Sequence, residues 1–228
     1  MPLMGLMMVL LVACIGLTFY AQFKVKRNYK KWSEVAASSG LTGEQVARQI
    51  LDQNGLYDVP VEPVKGTLSD HYDPLNRAVR LSEDNFYGHS IAAISVAAHE
   101  VGHAIQHKED YSMLVLRHRM FPLVNFTSGI APYLILAGFI FSYFKLATVG
   151  VVFFSFAVAF QLVTLPVEFN ASSRAKTIMV KNGFIRNNEE YGVNKVLGAA
   201  AFTYVAAALL AVVELLRFIL MLVLSSDD

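Results

Sequence analysis

The sequence predicts a mainly helical membrane protein: four transmembrane helices carrying a small cytoplasmic α+β domain. Three observations point there. Of the 228 residues, 55% are hydrophobic and 16% are charged, where a soluble domain has about 25% charged. Four apolar runs, residues 2–20, 121–145, 149–167 and 196–224, are each long enough to cross a bilayer. The polar sequence is concentrated between them, and its longest stretch ends in a helix pattern that carries two histidines four residues apart.

The first run carries no charge and is followed at once by Lys24, Lys26, Arg27, Lys30 and Lys31. A cleaved signal peptide would have its basic residues before the apolar stretch, so residues 1–22 read as an uncleaved anchor. Residues 23–120 form the expected water-facing domain. Thr42 with Gln45 makes a capping box, Val46, Ile50 and Leu51 give an amphipathic helix, and Gly55 is its expected stop. Two extended pieces follow, residues 58–65 and Ala78–Ser82, separated by turn chemistry at residues 69–76, which predicts a hairpin or small sheet. Ser90 is placed to cap the next helix, residues 90–108, whose alanines 92, 93, 97 and 98 permit close helix packing.

Residues 121–169 read as a transmembrane hairpin with its turn near residues 142–147, and residues 170–195 return to polar sequence. In the last span, Glu214 and Arg217 stand at i,i+3 and can pair, which reduces the cost of charge in lipid. Twelve lysines and arginines fall between residues 24 and 119 and five between 174 and 195, out of nineteen in the chain. Positive charge gathers on the cytoplasmic side. The expected topology is therefore multi-pass in the cell membrane, with both termini outside and the polar segments in the cytoplasm. A net charge of +1 says nothing about nucleic acid, and the lack of a basic, aromatic-rich patch gives no sign of a nucleic-acid partner. The single cysteine, Cys14, excludes an intrachain disulfide and a cysteine-based zinc site.

The helix at 90–108 contains His99-Glu100-Val101-Gly102-His103, the HExxH pattern of zinc metallopeptidases. Spacing of four places both imidazoles on one helix face, and Glu100 is set beside them as a general base. A catalytic zinc takes three protein ligands and keeps one position for water. The metzincin pattern would place a histidine where Glu109 stands and a glycine where Gln106 stands, so it fails. His107 shares the face, but one helix cannot readily wrap three ligands spaced by four around a tetrahedral ion. Among the acidic residues, Glu109 and Asp110 lie too near the helix to fold back. Glu189 and Glu190 sit in a charged run of the kind that usually faces solvent. Glu168 ends the third span, and the hairpin returns it to the side of the histidines. It is the expected third ligand of one Zn2+ ion.

HEVGHAIQH, the preceding SIAAISVAAHE, the upstream HYDPLNRAVRLS and the later LPVEFNASSRA resemble the neutral zinc metallopeptidases of bacteria, the YugP-like family. The chain is more distantly similar to membrane gluzincins, the CAAX prenyl endopeptidases and heat-shock membrane proteases. The closer likeness runs from about residue 24 to residue 215. It implies a zincin-like domain with His99, His103 and Glu168 as zinc ligands and Glu100 as base. Ser172 stands where the wider group has the aspartate of E-x-x-A-D, a carboxylate that orients a ligand histidine, so the partner of that histidine is left open.

The activity expected is hydrolysis of peptide bonds in a peptide or membrane-protein substrate at the cytoplasmic face. A zinc-holding but inactive membrane scaffold is the alternative, and an intact Glu100 argues against it. An intramembrane site-2-type protease is disfavoured because residues 90–108 lack a spanning apolar run. His71, Tyr72, His107 and Arg174 are the candidates for a donor to the oxyanion, with Arg174 preferred. The Ala78–Ser82 strand is a candidate edge for an extended peptide. Oligomeric state is not legible.

Overall fold

The structure, a computed structural model, describes residues 2–186 and 188–226. Its elements are α1 (Pro2–Ser33), α2 (Gly43–Gln53), β1 (Val61–Val64), β2 (His71–Asp73), β3 (Ala78–Ser82), α3 (Glu83–Phe86), α4 (Ile91–Lys108), α5 (Ser112–Ile140), α6 (Phe144–Lys181) and α7 (Glu190–Ser226). It is mainly helical, with one small sheet. Four helices, α1, α5, α6 and α7, are long and apolar enough to cross a membrane, and no more than 28% of the most apolar stretch of any of them is buried. Apolar side chains exposed along these stretches suit a lipid surround.

The helices outrun the apolar segments that announced them. α1 continues through the lysines to Ser33, α6 continues past Glu168 to Lys181, and α7 begins at Glu190. Residues 170–195 are therefore mostly the end of one long helix and the start of another. An apolar run marks the part of a helix that suits lipid, whereas the backbone hydrogen bonds that define the helix continue in water. Glu168 accordingly lies well inside α6 instead of ending it.

Two compact units are present: residues 1–21, 115–166 and 203–228 form one, and residues 22–114 and 167–202 form the other. In the first, Met7, Leu11 and Cys14 of α1 pack with Leu210, Val213 and Leu220 of α7. α5 and α6 make a tight hairpin. A β-carbon on Gly138 would lie 2.4 Å from the Ala147 backbone nitrogen, so only glycine fits there, and Ser142 turns the chain at φ 51°. Glu214 and Arg217 pair as expected, with Nε 3.2 Å from the carboxylate.

The second unit is built around α4, which buries residues from Ile91 to Gln106 on nearly every side. Ser90 caps it by accepting from the Ala93 amide at 3.1 Å. α2 carries the full Thr42–Gln45 capping box and buries Val46, Ala47, Ile50 and Leu51. α2, α4, β3, Met179 and Phe184 share one core with Val193 and Leu197. The sheet order is β1-β3-β2, with β1 parallel and β2 antiparallel to β3.

Two expectations need correction. β2 lies inside the stretch read as turn: Asp73 accepts from the amides of Leu75 and Asn76 at 2.9 and 3.1 Å, which confines the turn to the residues after it. β3 therefore has both edges paired and offers none to a peptide. Glu189, read as solvent-facing, is 7% exposed; its carboxylate accepts from the Ser38 amide and hydroxyl at 2.7 and 2.6 Å and from the Arg186 amide at 2.7 Å. Glu190 stays at the surface, paired with Lys176 at 3.3 Å.

Candidate metal centre

All parts of the candidate centre belong to the second unit. α4 presents His99 and His103 one turn apart, their rings 4.8 Å between centroids and nearly perpendicular. α6 approaches on a stripe of residues that recur at helical spacing. Val167, Ala171, Ala175 and Met179 are all fully buried, and Glu168 sits beside that stripe. The helices meet where both are thin, because Gly102 has no side chain and Ala171 a small one.

This close approach brings Glu168 Oε2 to 3.3 Å from His99 Nε2 and 3.5 Å from His103 Nε2. The three ligand atoms lie within 4.8 Å of one another, and the group is the one set of histidine, cysteine and acidic side chains among the described residues arranged to hold a metal ion. Two imidazole nitrogens and a carboxylate oxygen are a donor set suited to zinc. Tetrahedral bonds of about 2.0 Å would separate neighbouring ligand atoms by roughly 3.3 Å, close to both nitrogen–oxygen distances seen here. The residues present fit the ion.

The other nitrogen of each histidine is engaged outside the cluster. His99 Nδ1 lies 3.2 Å from the Ser172 hydroxyl, so serine takes the contact that the missing aspartate left open. His103 Nδ1 lies 3.0 Å from Gln106 Oε1. Gln106 and its neighbour Asn170 escaped the sequence reading, since neither type is a ligand or a base. The one signal was position: Gln106 follows His103 by three residues, on the same helix face.

Glu100 is 8% exposed. Burial pushes its carboxyl above the usual range, and the charges of His99 and His103 oppose this without cancelling it. His103 is also raised: burial pulls it down, but the hydrogen bond and charge of Glu168, together with Glu100, outweigh burial.

Of the four oxyanion candidates, two are joined to each other. The Tyr72 hydroxyl lies 2.8 Å from His107 Nδ1, with the rings edge to face, one turn of α4 beyond His103. His71 is exposed and bonds the Ser69 carbonyl at 2.8 Å. Arg174 is committed elsewhere: its Nε donates to Asn170 Oδ1 at 2.7 Å and Nη2 meets Glu109 at 2.7 Å.

A family model described as "putative neutral zinc metallopeptidase" matches residues 7–223. The chain belongs to this family. A curated relative, "Putative membrane protease YugP" of Bacillus subtilis (strain 168), is 64% identical over 219 residues, 96% of this chain and 97% of its own length. No solved structure matches.

Proposed function

We propose that this protein is a membrane-bound zinc metalloendopeptidase that hydrolyses peptide bonds at the cytoplasmic face of the cell membrane. The observation that carries the reading is the convergence of His99, His103 and Glu168, with Glu100 on the same turn of α4. Zinc held there would polarise the scissile carbonyl and acidify water. Glu100 accepts the proton of the attacking water and returns it to the leaving amine. Its buried setting raises its basicity, which suits that task. Tyr72 and His107 are hydrogen-bonded to each other, with His107 one turn of α4 beyond His103; they are proposed as oxyanion donors ahead of the exposed His71 and the ion-paired Arg174.

β2 is an edge strand of the sheet, and its Tyr72 reaches α4. That edge is the proposed place for an extended peptide to add. The arrangement supports a zincin-like reading of this unit. The excess of lysine and arginine in the segments around it supports the cytoplasmic side, with both termini outside. Peptides or membrane proteins are the substrates proposed.

The test compares wild type, Glu100→Gln and Glu168→Ala in detergent, with a quenched peptide and casein as substrates and zinc content measured for each. The expected result is a loss of about 100-fold or more in cleavage for Glu100→Gln with zinc retained. Glu168→Ala should lose both zinc and cleavage. Equal activity of wild type and Glu100→Gln on every substrate would favour the inactive scaffold. Undiminished zinc in Glu168→Ala would remove Glu168 from the ligand set.

A further inference from the structure

Gln106 is fully buried, three residues beyond His103, and every polar atom of its side chain is used. Its Nε2 donates to the Val167 carbonyl and to Asn170 Oδ1, both at 2.9 Å, and its Oε1 faces His103 Nδ1 at 3.0 Å. The sense of these bonds is forced from the far end. A guanidinium can only donate, so the atom of Asn170 that meets Arg174 at 2.7 Å is its carbonyl oxygen. That oxygen can only accept from Gln106, as can the Val167 carbonyl. Turning the Gln106 amide over would set its oxygen against two other acceptors. Its Oε1 is therefore fixed facing the histidine, and an oxygen there requires a proton on Nδ1.

We infer that Gln106 is a positioning residue for His103. Anchored by Val167 and by the Arg174–Asn170 pair, it holds the imidazole as the Nδ1–H tautomer and leaves the Nε2 lone pair facing Glu168. Glu109, 2.7 Å from Arg174, steadies the outer end of the relay. His99 has no such constraint, since the Ser172 hydroxyl can donate or accept. The two histidines thus differ: one is locked in the ligating tautomer and the other is merely touched. This inference rests on reading His99, His103 and Glu168 as a zinc site.

The experiment uses the full chain in detergent. Zinc affinity is measured by competition with a chromophoric chelator for wild type, Gln106→Met and Gln106→Glu, along with the visible spectrum of the cobalt-substituted forms. Gln106→Met keeps the shape but neither accepts from Nδ1–H nor donates. It should bind zinc about 10–100-fold more weakly and show an altered cobalt spectrum. Gln106→Glu restores an acceptor to Nδ1–H but sets its second oxygen against the Val167 and Asn170 oxygens, so it should recover only part of the loss. Folded Gln106→Met with wild-type affinity and spectrum overturns the assignment.

Should Gln106→Met not fold, the wild type decides. In 15N-histidine-labelled, zinc-loaded protein at about pH 8, the His103 resonances, identified by their loss in His103→Ala, should show metal on Nε2 and a proton on Nδ1. Metal on Nδ1 overturns the assignment. Failure of the underlying zinc reading looks different: wild type that holds no stoichiometric zinc, or His103→Ala that holds it as tightly as wild type.

Discussion

Gly102 and Ala171 are in backbone contact: a β-carbon on Gly102 would stand 2.8 Å from the Ala171 carbonyl oxygen and 3.2 Å from its Cα. Neither atom belongs to a flexible side chain that could move aside. The contact falls between His99 and His103 on α4 and three residues after Glu168 on α6, so the distance between the helices there sets the size of the candidate metal cluster.

Gly102→Ala should therefore disable the centre without touching a ligand. In an ordinary helix the change stabilises by about 1 kcal/mol. Here it must push α6 outward by a few tenths of an ångström or more and carry Glu168 away from the two Nε2 atoms. The expected result is a loss of about tenfold or more in zinc affinity and a lower thermal midpoint in detergent. A variant that gained stability and kept its zinc would show that α4 and α6 are not gauged by this glycine.

The same contact explains which parts of the molecule were legible in the sequence. His99, Glu100 and His103 announce themselves because spacing along one helix is a local property. Glu168 was reachable by topology, since a membrane hairpin must bring its end back to the side it left. The capping box at Thr42 and the cap at Ser90 were also local and came through unchanged. What was hidden depends on tertiary approach. β2 was masked because a three-residue strand enclosed by turn residues has no period of its own. Glu189 was masked because its partner, Ser38, lies in a distant loop. Gln106 was masked because an amide has no chemistry until its neighbours fix which end accepts.

The pH dependence of zinc binding follows from the histidine that Gln106 holds. His103 is raised above its ordinary value because Glu168 and Glu100 outweigh burial. Without metal, a raised histidine contributes stability below its unfolded value of about 6.5 and loses that contribution as pH rises through the folded value. Zinc requires the neutral ring, so the ion and the proton compete over this same window, and it opens above about 6.5. Thermal midpoints taken with and without zinc between about pH 5.5 and 8 should diverge: stabilisation by zinc grows with pH, while the metal-free form gains nothing. Glu100, raised by burial, should move the acid limb of peptidase activity the same way, to higher pH than an ordinary carboxylate base gives. A zinc effect constant across the range would mean that His103 does not gate the site.

Glu189 allows the opposite sign to be tested away from the metal. Burial alone would raise its carboxyl, but the Ser38 hydroxyl and amide and the Arg186 amide favour the charged form, and the net direction is down. A depressed carboxylate contributes stability above its unfolded value of about 4.3 and loses it as pH falls through the folded value. The bonds it makes join the segment after α1 to the connection between α6 and α7. Glu189→Gln keeps the shape but removes the charge, and places an amide donor against groups that are themselves donors. The expected cost is about 1–3 kcal/mol at neutral pH, read as a lower thermal midpoint in detergent, and it should shrink toward zero as wild type is acidified below about pH 4. Zinc affinity should stay within about twofold of wild type, since the bonds described for Glu189 go to Ser38 and Arg186, away from the candidate site. A cost that persists in acid would show that Glu189 acts by packing; a large loss of zinc would show that the α6–α7 connection holds Glu168 in place from a distance.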